Sequence, residues 1–219
     1  MQLTIIYDDM LYKERKEAEV GALKEGKGFS CCLQMDGRYL LFDTGSNGHL
    51  LLKNMDALNI EPALIDTIFI SHSHYDHIGG LSQFLKVNND VRLYVPHSCP
   101  SLFPAREVIK VKEQTEIYPD AFSTGEIEGI EQCLLISTQR GLLIITGCSH
   151  PGLKTILNLA SQFDKLYALV GGLHDFKEFA LIEQLELICP VHCTRFKYEI
   201  KALYPDKYIE GGVGRVIEI

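Results

Sequence analysis

The chain has 219 residues, 46% hydrophobic and 23% charged, enough to bury a sizeable core and too apolar for a disordered chain. Its formal net charge of −8 argues against nucleic acid as a partner, because the short basic runs at 13–16 and 110–112 are mixed with acids and read as solvated faces. No stretch reaches the roughly 18 apolar residues of a membrane helix, and Asp8 and Asp9 follow the apolar start where a secretory signal would need a cleavage site. The expected compartment is therefore the cytoplasm, with no membrane partner.

The seven cysteines, Cys31, Cys32, Cys99, Cys133, Cys148, Cys189 and Cys193, are odd in number and irregular in spacing. That is a poor disulfide framework, and thiols are expected in a reducing compartment.

Residues 3–7 read as a strand. Strands at 29–35 and 39–42 flank Asp36-Gly37, a hairpin signal, and the second ends at Asp43-Thr44-Gly45. A helix is predicted over 49–58, stopped by Asn59 and Pro62. A buried strand at 67–70 runs into Ser71-His72-Ser73-His74-Tyr75-Asp76-His77, and after Gly79-Gly80 a helix is expected over 81–87. Strands are expected at 91–95 and 108–111, with a loop or short helix over 96–104 and loop and turn over 118–129.

The second half continues in the same style. A hairpin of strands 131–137 and 142–146 turns at Gln139-Arg140-Gly141 and ends at Gly147-Cys148-Ser149-His150, with Pro151 suited to the first turn of the next helix. A strand at 166–170 ends at Gly171-Gly172-Leu173-His174-Asp175. A helix is expected over 177–186, with Phe179, Ile182 and Leu185 on one face. A strand at 187–191 ends at His192-Cys193-Thr194, and a helix to Leu203 and a strand from Val213 close the chain. Strands followed by helices, with hairpins in each half, predict a layered α/β protein, read as one domain over 1–219.

Five of these strands end in a polar cluster: Asp43, the run from His72 to His77, His150, His174 and His192. Strand ends are where a rigid scaffold places reactive groups. Imidazole and carboxylate are the usual nitrogen and oxygen donors for zinc and similar ions. In an extended segment His72 and His74 point the same way and can share one ion. Asp76 and His77, where the chain turns toward a helix, can aim at a second.

The run His72-x-His74-x-Asp76-His77 resembles the signature of the metallo-β-lactamase superfamily, and the resemblance spans nearly the whole chain. It implies a four-layer αββα sandwich with a binuclear site at the common edge of two sheets. By the family pattern His72, His74 and His150 bind one divalent ion, and Asp76, His77 and His192 the other. Zinc is the expected metal, with iron or manganese as alternatives. Asp43 matches the superfamily's early structural aspartate, behind the ligands. Many members carry a bridging aspartate at the strand end where this chain has Gly171-Gly172-Leu173-His174. His174 is taken as a further ligand, and Asp175 ranks below it. Gly147-Cys148-Ser149-His150-Pro151-Gly152 and His192-Cys193-Thr194 resemble a subgroup of metal-dependent hydrolases that includes dihydropterin ribofuranosyl-aminobenzene phosphate synthases. Arg195 stands where that subgroup commonly has glycine and is a candidate anion contact for the substrate.

The resulting expectation is a hydrolase that uses metal-activated water on an ester, thioester, amide or phosphate ester of a small molecule, with Asp76 as the catalytic carboxylate. The alternatives are a pterin-linked synthase and a non-catalytic metal or ligand sensor. For Cys148 and Cys193, packing is the favoured reading over soft ligation. His49 and His97 read as surface or pocket residues.

Overall fold

Two left-handed residues, Asp36 and Gly37, with φ of 47° and 77°, make the tight turn that a two-residue hairpin requires. They join β2 (Ser30–Met35) to β3 (Arg38–Phe42), with Met35 opposite Arg38. The computed structural model describes residues 1–13, 22–99 and 103–219. β1 (Gln2–Tyr7) pairs antiparallel with β2 and, on its other side, with β13 (Val216–Glu218). β4 (Thr67–Phe69), β5 (Arg92–Pro96) and β6 (Glu107–Val111) continue from β3 in parallel. The first sheet thus runs β13-β1-β2-β3-β4-β5-β6.

The second sheet contains β7 (Thr115–Tyr118), β8 (Ala121–Ser123), β9 (Leu134–Thr138), β10 (Gly141–Thr146), β11 (Leu166–Gly172) and β12 (Leu187–Val191). Its order is β12-β11-β10-β9-β8-β7, parallel from β10 to β12 and antiparallel elsewhere.

The period-two alternation of strand side chains separates three apolar layers. Leu40 and Phe42 join Leu134, Ile136, Leu143 and Val170 between the sheets. Leu41, Ile68 and Leu93 face outward against Leu51 and Met55 of α1 (Gly48–Ala57) and Phe84 of α3 (Leu81–Phe84); α2 (Tyr75–Ile78) lies between those helices in the chain. On the far side, Leu142 and Ile144 pack on Leu153 and Ile156 of α4 (Leu153–Ala160) and Ile200 of α5 (Lys197–Leu203). This is the expected αββα sandwich. A fully buried Leu, Ile or Phe contributes about 1.5–3 kcal/mol, whereas an exposed pair such as Arg106–Asp90 contributes under about 1 kcal/mol. Packing therefore holds the layers together.

Several elements differ from expectation. The helix over 177–186 is absent; only a 3-10 turn, Phe179–Ile182, forms there. Phe179, Ile182 and Leu185 are spaced by three, the repeat of a 3-10 turn, and this spacing buries Ile182 and Leu185 fully. Residues 118–129 are not all loop, because β7 and β8 form a hairpin there. β9 starts at Leu134, later than expected, since Glu131 and Gln132 turn away to other partners. Helix α4 starts after Pro151, with Gly152 at its N-terminal boundary. The helix expected over 81–87 is one turn long. Most of the basic run at 13–16, and part of the 96–104 segment, lie outside the described residues.

Candidate metal centre

The C-terminal ends of β1, β3, β4, β10, β11 and β12 deliver Asp8, Asp43, His72, His150, His174 and His192 respectively. Parallel pairing of β3 with β4, and of β10, β11 and β12, brings these ends to one edge of each sheet. Gln132 joins the two edges. Its amide donates to Ile70 O at 2.8 Å, its backbone N–H to Ser71 O at 2.9 Å, and its Oε1 accepts from Ser123 Oγ at 2.7 Å. Asp43, Ser149, His174 and His192 hold left-handed φ of 52°, 60°, 46° and 46°, an uncommon conformation that gathers at sharp functional turns.

Asp43 is fully buried. Its Oδ1 accepts from Ser71 N at 2.7 Å, and its Oδ2 accepts from Ser71 Oγ and His77 Nδ1, each at 2.7 Å. Burial raises the Asp43 carboxyl above the usual carboxylate range, and these donors pull against that. Ser71 spends its only hydroxyl proton on Asp43, so His72 Nδ1, 2.9 Å from the same Oγ, must be the donor there. His72 and His77 thus carry protons on their outer nitrogens and turn Nε2 lone pairs inward. Burial, followed by the neighbouring histidines, keeps His72 from protonating until well below the ordinary histidine range. His192 is fixed the same way from another strand: its Nδ1 lies 2.9 Å from Asp9 Oδ1, and its backbone N–H donates to Asp8 Oδ1 at 2.9 Å.

The inward atoms fall into sets. His72 Nε2 lies 3.1 Å from His74 Nδ1 and 3.2 Å from His150 Nε2. Three ring nitrogens cannot all satisfy one another with protons. Tetrahedral donors around an ion with bonds of about 2.0–2.1 Å sit about 3.3 Å apart, so this set fits a divalent ion. Asp76, His77 and His192 form a second set, with His192 Nε2 3.5 Å from Asp76 Oδ2. Two acceptors face each other there, an arrangement that a cation relieves. A third set contains Cys148, His174 and Cys193. Cys148 Sγ is 3.1 Å from His77 Nε2 and 3.5 Å from Cys193 Sγ.

The structure therefore brings together His72, His74 and His150, and separately Asp76, His77 and His192. His174 lies in neither set; its ring is 4.7 Å from that of His150, and it groups with the two thiols. Arg195 pairs with Asp175 at 3.1 Å, both side chains exposed, and its guanidinium lies over the Phe196 ring. Asp175 is thus engaged at the surface. His49 and His97 are exposed.

Three residues escaped the sequence reading. Asp8 and Asp9 follow β1 as the other clusters follow their strands, and the same rule applied to the first strand finds them. Glu131, fully buried, holds the loop after β10. Its Oε1 accepts from Thr146 Oγ1, Gly147 N, Cys148 N and Ser149 N at 2.8–3.2 Å, and its Oε2 from His150 N at 2.9 Å.

The sequence profile described as the metallo-beta-lactamase superfamily matches residues 29–153. The chain belongs to the metallo-β-lactamase superfamily. Members typically bind divalent metal ions, and among the described residues the three sets above, together with a fourth of His72, His77 and Cys148, are donor groups that could hold one. A curated relative is the 7,8-dihydropterin-6-methyl-4-(beta-D-ribofuranosyl)-aminobenzene-5'-phosphate synthase of Methanocaldococcus jannaschii, 29% identical over 73% of this chain and 76% of that one. A solved metal-dependent hydrolase of the beta-lactamase superfamily has the same fold, with a TM-score of 0.78, 24% identity, and coverage of 100% of this chain and 99% of the other. Zn2+-bound PqqB of Methylobacterium extorquens shares it at a TM-score of 0.65 and 13% identity, with both chains covered in full.

Proposed function

We propose that this metallo-β-lactamase-superfamily chain is a hydrolase of a small molecule, cleaving an ester, thioester, amide or phosphate ester with metal-activated water. One observation carries the reading. The Nε2 atoms of His72, His77 and His192 face inward because Ser71, Asp43 and Asp9 hold their Nδ1–H groups, and such outer partners are what fix ligand histidines for metal.

His72, His74 and His150 would hold one divalent ion; Asp76, His77 and His192 would hold the other. Bound there, the ions supply Lewis-acid polarisation and lower the pKa of water toward neutrality. Asp76, with its side chain 22% exposed, has one oxygen toward His192 and can orient the attacking water and pass a proton to the leaving group. Asp43 acts through His77 and Ser71, holding the loop in register. Arg195, at the surface beside α5, is the proposed contact for an anionic substrate, reached by exchanging its pair with Asp175.

The test combines metal analysis with turnover of a panel of esters, thioesters, amides and phosphate esters. His74→Ala and Asp76→Ala should lose bound metal, and Asp76→Ala should lose activity by about 10²–10⁴-fold; full turnover by chelated, metal-free protein would sink the reading. The name of the Methanocaldococcus relative supports a competing outcome, condensation of a dihydropterin with an aromatic amine phosphate. Product analysis with both substrates present separates joining from cleavage.

A further inference from the structure

Neither of the two sets assigned to the hydrolase uses sulfur, yet two thiols enter the same centre. Cys148, on the loop after β10, is buried, and Cys193, on the loop after β12, is half-buried. Their Sγ atoms are 3.5 Å apart. His174, on the loop after β11, brings a ring nitrogen to within 4.8 Å of both. Three consecutive strands of one sheet thus each contribute one donor.

The backbone is shaped for this convergence. A Cβ on Gly172 would lie 2.6 Å from Cys193 Sγ and 2.5 Å from Gly147 O, so only glycine leaves room for the sulfur. Glu131 fixes the Cys148 loop by accepting the backbone N–H groups of Gly147, Cys148 and Ser149. Cys193 is placed by its neighbours: the N–H of His192 is held by Asp8, and Thr194 Oγ1 donates to Val191 O and accepts from Leu173 N.

We propose that Cys148, His174 and Cys193 form a third donor set, of Cys2His type, that binds a soft divalent ion such as zinc beside the two histidine-based sets. Tetrahedral sulfur donors at about 2.3 Å from zinc stand about 3.8 Å apart, near the 3.5 Å seen here. Two thiolates and a neutral imidazole leave a fourth position, and the exposed His174 and half-buried Cys193 turn that position toward solvent. Soft thiolates prefer zinc and its neighbours over magnesium or calcium. The set also gives a reason for histidine at the end of β11, where many members carry a bridging aspartate: here sulfur supplies the negative charge. The proposal goes beyond hydrolysis and does not depend on it.

The experiment is a cobalt titration of full-length protein, stripped by chelator and kept under a phosphine reductant, followed by absorption and by metal content after gel filtration. Wild-type protein should show a sulfur-to-cobalt charge-transfer band in the near ultraviolet together with visible ligand-field bands. Cys148→Ser/Cys193→Ser should lose the charge-transfer band and one equivalent of metal while keeping the ligand-field bands. His72→Ala/His74→Ala should keep the charge-transfer band, and Cys193→Ser alone should weaken it. Cobalt-loaded wild type without the charge-transfer band overturns the proposal and leaves the hydrolase reading standing. A double-cysteine variant that retains wild-type stoichiometry also overturns it. Wild type that takes up no cobalt overturns both.

Discussion

Asp43 Oδ2 and His77 Nδ1 meet at 2.7 Å where neither side chain is exposed at all. The two are 34 positions apart, and the contact sets which nitrogen of His77 carries the proton. Asp43→Asn keeps the shape but offers an amide where the carboxylate accepted two donors. Loss of such an outer partner typically costs about 10–100-fold in metal affinity. Competition with a chromophoric chelator should read that loss; unchanged affinity would remove Asp43 from the centre's support.

Among the described residues Glu131 forms no ion pair and instead satisfies five donors of one loop. Glu131→Gln turns one acceptor oxygen into a donor and sets it against those N–H groups. The expected cost is about 3 kcal/mol, the scale of a buried charge-assisted hydrogen bond lost with its partner left unsatisfied. Urea unfolding of chelated protein measures it without contribution from metal.

Asp8 introduces a pH dependence. Among the described residues its Oδ2 has no hydrogen-bond partner, and burial raises its carboxyl above the usual range, against the pull of Lys197 and of the His192 and Asp9 N–H groups. The native state therefore holds this proton to a higher pH than the unfolded chain does. In that window the native state binds more protons, so stability falls as pH rises from about 4 through the raised native value. Asp8→Asn, which keeps an oxygen for the His192 N–H, should be the more stable protein at neutral pH, with the two curves converging below about pH 4. A wild-type advantage that grows with pH would contradict this.

Thiol labelling should be strongly selective. Six of the seven cysteines are buried, and Cys193 alone is intermediate. Burial pushes Cys32 and Cys189 up to about 12, leaving about one thiolate in 10⁴ at pH 8. Alkylation of apo protein with peptide mapping should find Cys193 first, and Cys32 and Cys189 only as the chain unfolds. Early modification of Cys189 would mean that the sheet interior opens near β12.

The sandwich was legible because buried strands read as apolar runs that stop abruptly at His, Asp or Gly. Asp36-Gly37 marked its hairpin for a local reason, and both residues adopt positive φ. The missed helix at 177–186 shows the limit of that method. Apolar residues at i, i+3 and i+6 fit a helix on paper, but burial of Ile182 and Leu185 needs only a 3-10 turn against the second sheet. β7 and β8, four and three residues long, are held by cross-strand partners that no local pattern displays. The same applies at the site. The run from His72 to His77 announces itself within six residues, whereas Glu131 looks like the first residue of a strand until the loop that it holds folds back over it. The pairing of His174 with two thiols depends on strand order, which no spacing in the chain reveals.

The donors are divided between the sheets: His72, His74, Asp76 and His77 follow β4 of the first, and Cys148, His150, His174, His192 and Cys193 follow β10, β11 and β12 of the second. Neither histidine-based set is completed by one half of the sandwich alone. An ion in either of them would work as a rivet between two layers that otherwise meet through apolar contact and through polar links such as those of Gln132, Tyr118 and His192. Its binding energy would then keep the halves in register, and a slip of one sheet past the other would break coordination before it broke the core.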